Sequence, residues 1–169
     1  MTVANVSAFG TSCTIVSTVT FPSGFNVSDF ADDVDPIQVG NLTIRTRQML
    51  MDGSIHTRLS ANPIEVTLAV IPGSPSDKNL QVLFNASRVR QKLLPIPDFI
   101  GMMISYPDGV TSALIDGSII SGPPVRSVSM SGRIKTNQYG FVFADNATIG
   151  DSVVGTLLSV ASAGLRYLG

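Results

Sequence analysis

The sequence contains few of the residues that catalysis usually requires. Its 169 residues include one cysteine, one histidine and no tryptophan. One cysteine excludes an internal disulfide, and one residue of each type is too few for a zinc site. His56 follows a predicted turn with no acid or nucleophile motif around it, which indicates a surface or interface histidine rather than a triad member. Cys13 has strand-like neighbours and no nearby base, which favours a buried, inert thiol.

Phosphate-binding loops are also missing. The chain has neither a Gly-x-x-x-x-Gly-Lys motif nor a Gly-x-Gly-x-x-Gly motif after a strand. We therefore predict that the protein is not an enzyme, with no catalytic residues, no bound metal and no cofactor.

Charge is sparse, at 14% of residues, and the net charge is −1, whereas hydrophobic residues reach 44%. This composition excludes a disordered chain and carries no general nucleic-acid signature. Frequent Val, Ile, Ser, Thr and Gly favour strands and turns in a single domain. A weakly charged surface also suggests that neighbouring subunits cover part of it.

Targeting signals are not evident. Residues 1–10 lack the basic and apolar regions of a signal peptide. The longest apolar stretch, residues 153–168, contains Arg166 and is too polar for a membrane span. Five N-x-[ST] sequons nevertheless keep a secreted, glycan-binding β-sandwich as an alternative: Asn5, Asn26, Asn41, Asn85 and Asn146.

The few charges are unevenly distributed. Residues 45–92 carry seven bases and three acids, whereas residues 1–44 contain no base and four acids: Asp29, Asp32, Asp33 and Asp35. Two hypotheses remain open, because the acidic and basic segments can pair between copies or neutralise each other within one fold. The four carboxyls lack the spacing of a calcium loop, which favours a solvated loop or an acidic surface at a partner or lumen.

Alternation and turn residues predict a mainly β fold with one helix. Leu80, Leu83 and Phe84 have helical spacing, which predicts a helix over residues 77–91. Tyr139, Phe141 and Phe143 share one face of a strand by alternation. The predicted strands cover residues 2–9, 12–21, 37–47, 64–71, 99–106, 110–115, 118–120, 125–135 and 139–144, with a turn at Asp116-Gly117. This pattern predicts a β-sandwich or barrel packed by one helix.

Asp52-Gly53 predicts the tip of a long projecting hairpin, because glycine supplies the positive φ that a tight turn requires. Apolar residues at a projecting tip need a partner to bury them, unless the tip folds back on its own core. The residues predicted to contact another subunit are Arg47, Met49, Leu50, Met51 and His56.

The C-terminal segment differs in character from the rest. We predict a β domain over residues 1–148 and an arm over residues 149–169. Val153, Leu157 and Leu165 can form an apolar helical stripe, although glycines weaken the helix. The arm is expected to dock on another copy through these three residues.

The order of motifs adds a resemblance. An acidic turn at residues 30–33 precedes the long hairpin, and a strand then runs through the small polar segment 72–80 into the helix. Turn motifs at residues 107–109 and 116–122 precede a closing strand pair at residues 132–144. In this layout, about two-thirds of the chain resembles tail tube proteins, especially those of contractile-tailed bacteriophages.

The resemblance implies a structural virion protein located in the phage tail and assembled in the host cytoplasm. Its subunits would close a multi-subunit β-barrel ring, expected to be hexameric, and the stacked rings would conduct DNA. The implied partners are the chain itself, the sheath, the baseplate and the tail terminator, with tape-measure protein and DNA as transient lumen contents and no membrane. A baseplate or tail-completion protein sharing the tube fold is the alternative in the same setting.

Overall fold

A computed structural model describes residues 9–93 and 98–149. The elements in chain order are β1 (Ser12–Ser17), β2 (Phe25–Val27), β3 (Ile37–Val39), β4 (Arg45–Met49), β5 (Ile55–Leu59), β6 (Ile64–Val70), α1 (Pro75–Leu93), β7 (Ile100–Ser105), β8 (Thr111–Ser121) and β9 (Asn137–Ile149).

Seven strands form one antiparallel sheet in the order β2-β1-β7-β8-β9-β6-β3, curled into a half-barrel. The remaining two strands, β4 and β5, pair only with each other. The predicted mainly β fold with one helix and a projecting hairpin is confirmed. Within the described residues the sheet is open, because its edge strands β2 and β3 do not pair with each other. Each edge strand has three residues.

Strand alternation places the core on the face of the sheet that the helix covers. Tyr139, Phe141 and Phe143 of β9 are fully buried, as the sequence predicts. They meet alternate residues of β6 on one side, and Leu80 and Leu83 of α1 close the cluster above the sheet. These aromatic and aliphatic side chains supply much of the apolar burial that stabilises the fold.

The predicted helix is confirmed and begins two residues earlier than expected. Pro75 occupies its first turn, where a missing N–H costs nothing. The Ser74 hydroxyl accepts a hydrogen bond of 3.2 Å from the Asp77 N–H, and the Asp29 carboxylate accepts one of 2.9 Å from the Ser76 hydroxyl. The acidic segment therefore contributes directly to the start of α1.

The predicted turn at Asp116-Gly117 is wrong, because β8 runs unbroken through both residues. Asp116 has a φ of +53°, and two β8 residues stand opposite Gly101 of β7, which is a β-bulge. Gly117 is required there because a Cβ atom at this position would lie 2.2 Å from the Phe143 ring. An Asp-Gly pair thus bends a strand here rather than ending it.

Two other strand predictions are also wrong. Residues 125–135 form a short turn in which a single bridge joins Val128 to Ile134. Residues 37–47 divide into β3 in the main sheet and β4 in the separate hairpin. The remaining strands lie near their predicted ranges, although β1 ends at Ser17, and most of the predicted strand 2–9 lies outside the described residues.

Candidate assembly surfaces

The hairpin of residues 41–62 is the most exposed part of the described chain. Every residue of β4 and β5 is solvent-exposed, and the strands pair from Arg45–Leu59 to Met49–Ile55. At the tip, the Asp52 carboxylate accepts hydrogen bonds from the N–H and hydroxyl of Ser54. These bonds hold the pKa of Asp52 below its ordinary value. The predicted hairpin and its Asp52-Gly53 tip are confirmed.

The hairpin has two chemically different faces. Alternation places Arg45, Arg47, Met49, Ile55 and Leu59 on one face. The opposite face forms an open polar cleft that includes Thr46, Gln48, His56 and Arg58. The predicted contact residues therefore divide between the faces, since His56 lies opposite Gln48 and away from Met49.

Apolar side chains on this hairpin lack cover within the described part of the chain. Met51 at the tip is fully exposed, and Met49 and Leu59 each expose about three-quarters of their surface. The tip does not fold back on its own core. An exposed apolar patch of this kind on a projecting element is typical of a protein–protein contact. A role for Arg47, Met49, Leu50, Met51 and His56 in subunit contacts remains a prediction.

The four acids of residues 29–35 each have a partner in the same chain. Asp29 accepts from Ser76 at the start of α1, and Gln38 donates to Asp35 over 3.2 Å. Asp33 accepts from the Thr136 hydroxyl, and the Arg133 guanidinium donates to Asp32 over 3.0 Å.

The Arg133 guanidinium holds the pKa of the Asp32 carboxyl below its ordinary range. This base comes from the last third of the sequence. Among the described residues, no ion pair joins the acids of residues 29–35 to the basic segment 45–92.

The acidic loop and the hairpin lie at opposite ends of β6. The Ala69 N–H donates to the Pro36 carbonyl at one end, and the Gly40 N–H donates to the Glu65 carbonyl at the other, each over 2.9 Å. A seven-residue strand spans about 20 Å. This separation explains why the hairpin arginines do not neutralise the acidic loop.

The sheet itself carries no positive charge. None of its seven strands contains a lysine or an arginine, and its acids are Glu65, Asp116 and Asp145. The face that points away from the helix carries the acid Glu65 opposite Val142. Its other side chains are small or uncharged, among them Thr14, Thr67, Met103, Ser118 and Gln138. This face would offer a passing phosphate backbone no cation to bind.

A groove follows the β3 edge of the sheet. Its lining residues are Asp35, Ile37, Gln38, Val39, Gly40, Glu65 and Thr67. The Asp35 and Glu65 side chains are exposed, and neither has a basic partner among the described residues.

Sequence reasoning missed a second exposed apolar element, the turn of residues 125–135. Met130 at its tip is fully exposed, and Val125 and Val128 are largely so. The Ser129 N–H donates to the Arg133 carbonyl to close the turn. Alternating residues suggested a strand here, and Gly132, with a φ of +78°, was the signal for a turn.

The other predicted residues lie in the core, at the surface or outside the described chain. Cys13 is buried, as predicted, and burial raises the pKa of its thiol to about 12. His56 is exposed, as predicted. Val153, Leu157 and Leu165 of the C-terminal arm lie outside the described residues. Within residues 9–93 and 98–149, no helix is long and apolar enough to cross a membrane.

Comparison with solved structures identifies the class of fold. A chain of the anti-feeding prophage baseplate, in a six-fold symmetrised structure, aligns with a TM-score of 0.50 and 10% identity. The alignment covers 90% of this protein and 99% of that chain. A chain of the sheath/tube terminator structure of an extracellular contractile injection system aligns with a TM-score of 0.54 and 10% identity. This alignment covers 89% of this protein and 100% of that chain. The half-barrel fold is therefore shared with chains of contractile injection systems.

The family follows from the sequence. The model of the family described as tail fiber protein gp32 matches residues 4–147. Since this match covers most of the chain, the protein belongs to that family and is phage-tail-related. No curated protein matches the sequence.

Proposed function

We propose that this protein is a non-enzymatic structural subunit of a phage tail that assembles with copies of itself into the rings of the inner tube. The absence of lysine and arginine from all seven strands of an open, half-barrel sheet carries this proposal. A sheet with these properties is suited to line a channel through which DNA passes without binding.

The ring would close through the two edge strands of the sheet, β2 and β3. An open sheet edge presents unpaired backbone groups, and closure into a barrel removes such edges. Joining the β2 edge of one copy to the β3 edge of the next would continue the curl of the half-barrel. The six-fold symmetry of the similar baseplate structure supports a hexamer.

Stacking of rings is assigned to the hairpin and the C-terminal arm. The hairpin leaves one end of the sheet and carries apolar side chains that the described part of its own chain does not cover. A contact between different surfaces on identical subunits repeats without limit and builds a filament. Val153, Leu157 and Leu165 of the arm would add to the same contact.

The proposed location is the virion tail, with assembly in the host cytoplasm. Sheath, baseplate and tail-terminator proteins would contact the outside and ends of the tube, and tape-measure protein and DNA would occupy the lumen transiently. A phage-tail-related family is not the setting expected for a secreted glycan-binding protein.

A baseplate or terminator ring is the second candidate. The observation that favours it is the origin of the two similar chains, which belong to baseplate and sheath/tube terminator structures. Such a protein would form one ring and stop, whereas a tube subunit would stack.

Negative-stain electron microscopy of the purified protein tests the proposal. Hollow rods support a tube subunit, and single rings that do not stack at high concentration support the terminator-type role. Solid fibres without a lumen, or a protein that stays monomeric alone and in the native particle, would overturn both.

A further inference from the structure

We infer that the turn of residues 125–135, the Met130 turn, is a docking site for a different protein that offers an apolar pocket flanked by carboxylates. The contact is separate from ring closure and from stacking, so it applies to a tube subunit and to a terminator-type ring alike. Exposed apolar side chains, a fixed shape and a charge of one sign together define the site.

The apolar side chains of the Met130 turn are open to solvent. Met130 is fully exposed at the tip, and Val125 and Val128 each expose about two-thirds or more of their surface. Methionine adapts its shape to a pocket and is frequent at protein-binding surfaces. Exposed apolar surface on a projecting element is therefore expected to be covered by a protein partner.

The turn already has the shape that a partner would meet. The Ser129 N–H donates to the Arg133 carbonyl over 2.9 Å, and the Lys135 N–H donates to the Ser127 carbonyl over 2.8 Å. Gly132 adopts a φ of +78°, which allows the chain to reverse. A surface that is ordered before binding loses little conformational freedom when it binds, and this favours affinity.

The acidic loop of residues 29–35 fixes where the turn lies on the body of the protein. The Arg133 guanidinium donates to Asp32 over 3.0 Å, and the Thr136 hydroxyl donates to Asp33. Both bonds join segments that lie about 100 residues apart in the sequence. Asp32 and Asp33 therefore act as positioning residues that present the Met130 turn to its partner.

The charge of the turn indicates the chemistry of the partner. Residues 125–135 contain three bases and no acid. Arg126 and Lys135 are exposed in the same turn as the apolar side chains. A surface that matches both features has carboxylates around an apolar pocket, and such complementarity selects one partner over others.

Two other occupants are opposed by charge. The exposed β4–β5 hairpin of a second copy carries three arginines and one acid, so it would meet the bases of the Met130 turn with like charge. An anionic membrane would be repelled by the exposed carboxylates of Asp32, Asp33 and Asp35 beside the turn.

Photo-crosslinking in the native particle tests the docking site. The crosslinking residue p-benzoylphenylalanine replaces Ser131, next to the tip, in the full-length chain. The same replacement of Pro107, in the exposed turn of residues 107–109, is the matched control. Mass spectrometry identifies whatever is joined to each position after irradiation.

We expect position 131 to crosslink to a protein other than this one, at a segment that combines Asp or Glu with apolar residues. Position 107 should give at least ten-fold less of that product. Crosslinks from position 131 only to another copy of this chain, crosslinks to lipid, or no crosslink at all would overturn the inference.

A charge swap tests the positioning residues in the same crosslinking chain. Asp32→Arg should lower the yield of the crosslinked product at least five-fold, and Asp32→Arg combined with Arg133→Asp should restore it. Thermal unfolding of the purified proteins checks that each variant folds. An unchanged yield in the single variant, or no restoration in the double variant, would overturn the positioning role of the acidic loop.

Discussion

The hydroxyl group of Tyr139 donates a hydrogen bond of 2.7 Å to a carboxylate oxygen of Asp77. The Asn137 amide donates to the same oxygen over 2.8 Å, and the Gly73 N–H donates to the other oxygen over 2.9 Å. These bonds fasten the start of α1 to the first residues of β9 in a buried position. A buried carboxylate is tolerated here because its oxygens are well satisfied.

Loss of the hydrogen bond between Tyr139 and Asp77 should destabilise the fold and leave the exposed assembly surfaces unchanged. Tyr139→Phe removes one hydrogen bond to a charged group, and we expect the free energy of unfolding to fall by about 1.5–3 kcal/mol. Denaturant unfolding of the purified variant measures the change. Tyr106→Phe, at a partly exposed turn position, is the matched control and should change stability by less than about 0.5 kcal/mol. Equal stabilities for the two variants would contradict the assigned role.

Stability should decline in alkaline solution because of Cys13. Burial raises the pKa of its thiol to about 12, whereas the unfolded chain titrates near the ordinary value of about 8.5. Between these values the folded state holds a proton that the unfolded state has lost. The contribution of the protonated thiol to the free energy of unfolding is therefore complete below the unfolded pKa, and it is lost as the pH rises toward the folded pKa.

From this thiol we expect the free energy of unfolding to fall by about 1.4 kcal/mol per pH unit between pH 9 and 12. Burial and the Asp77 hydrogen bond also raise the pKa of Tyr139, which steepens the decline above about pH 10. Denaturant midpoints measured across this range should show a shallower decline in Cys13→Ser, even though that variant starts from lower stability. Parallel curves for the two proteins would show that the thiol does not titrate as expected.

Gly117 is predicted to be the least replaceable glycine in the sheet. A methyl group at this position would overlap the Phe143 ring, and we expect Gly117→Ala to cost at least about 2 kcal/mol through overpacking. Gly101→Ala is the matched control in the neighbouring strand, since its Cβ would meet only a carbonyl oxygen at 3.8 Å. Thermal unfolding distinguishes the two, and a mild effect at Gly117 would mean that the ring moves aside freely.

The hairpin tip should be needed for assembly and not for folding. Replacement of Met49, Leu50 and Met51 by serine removes exposed apolar surface, so the unfolding transition should stay within error of the wild type while rods disappear. The control replaces Val125 and Met130 by serine, which removes comparable exposed surface from the other turn. Unimpaired rods from the tip variant would remove the hairpin from the stacking contact.

Local signals predicted much of the fold. The helix followed from the spacing of Leu80, Leu83 and Phe84, and the buried face of β9 followed from strict alternation of aromatic residues. Asp52-Gly53 predicted a hairpin tip correctly because a strand-like segment lies on each side. Asp116-Gly117 has the same local sequence, and its pairing between β7 and β9 makes it a bulge within a strand.

The surfaces depended on topology that no local pattern encodes. The acids of residues 29–35 and the arginines of the hairpin lie close in sequence, yet pairing of β3 with β6 separates them to opposite ends of a strand. The partner of Asp32 is Arg133, about 100 residues away along the chain. The groove at Asp35 and Glu65 likewise exists only because β3 lies at a sheet edge.

A cryo-EM reconstruction of the assembled particle is the most direct test of the central claim that identical copies complete the open sheet. We expect a closed ring of sheets, with Thr67, Ser118 and Val142 facing a lumen and α1 on the outside. A map in which α1 lines the channel, or in which the β2 and β3 edges of neighbouring copies do not meet, would contradict the claim.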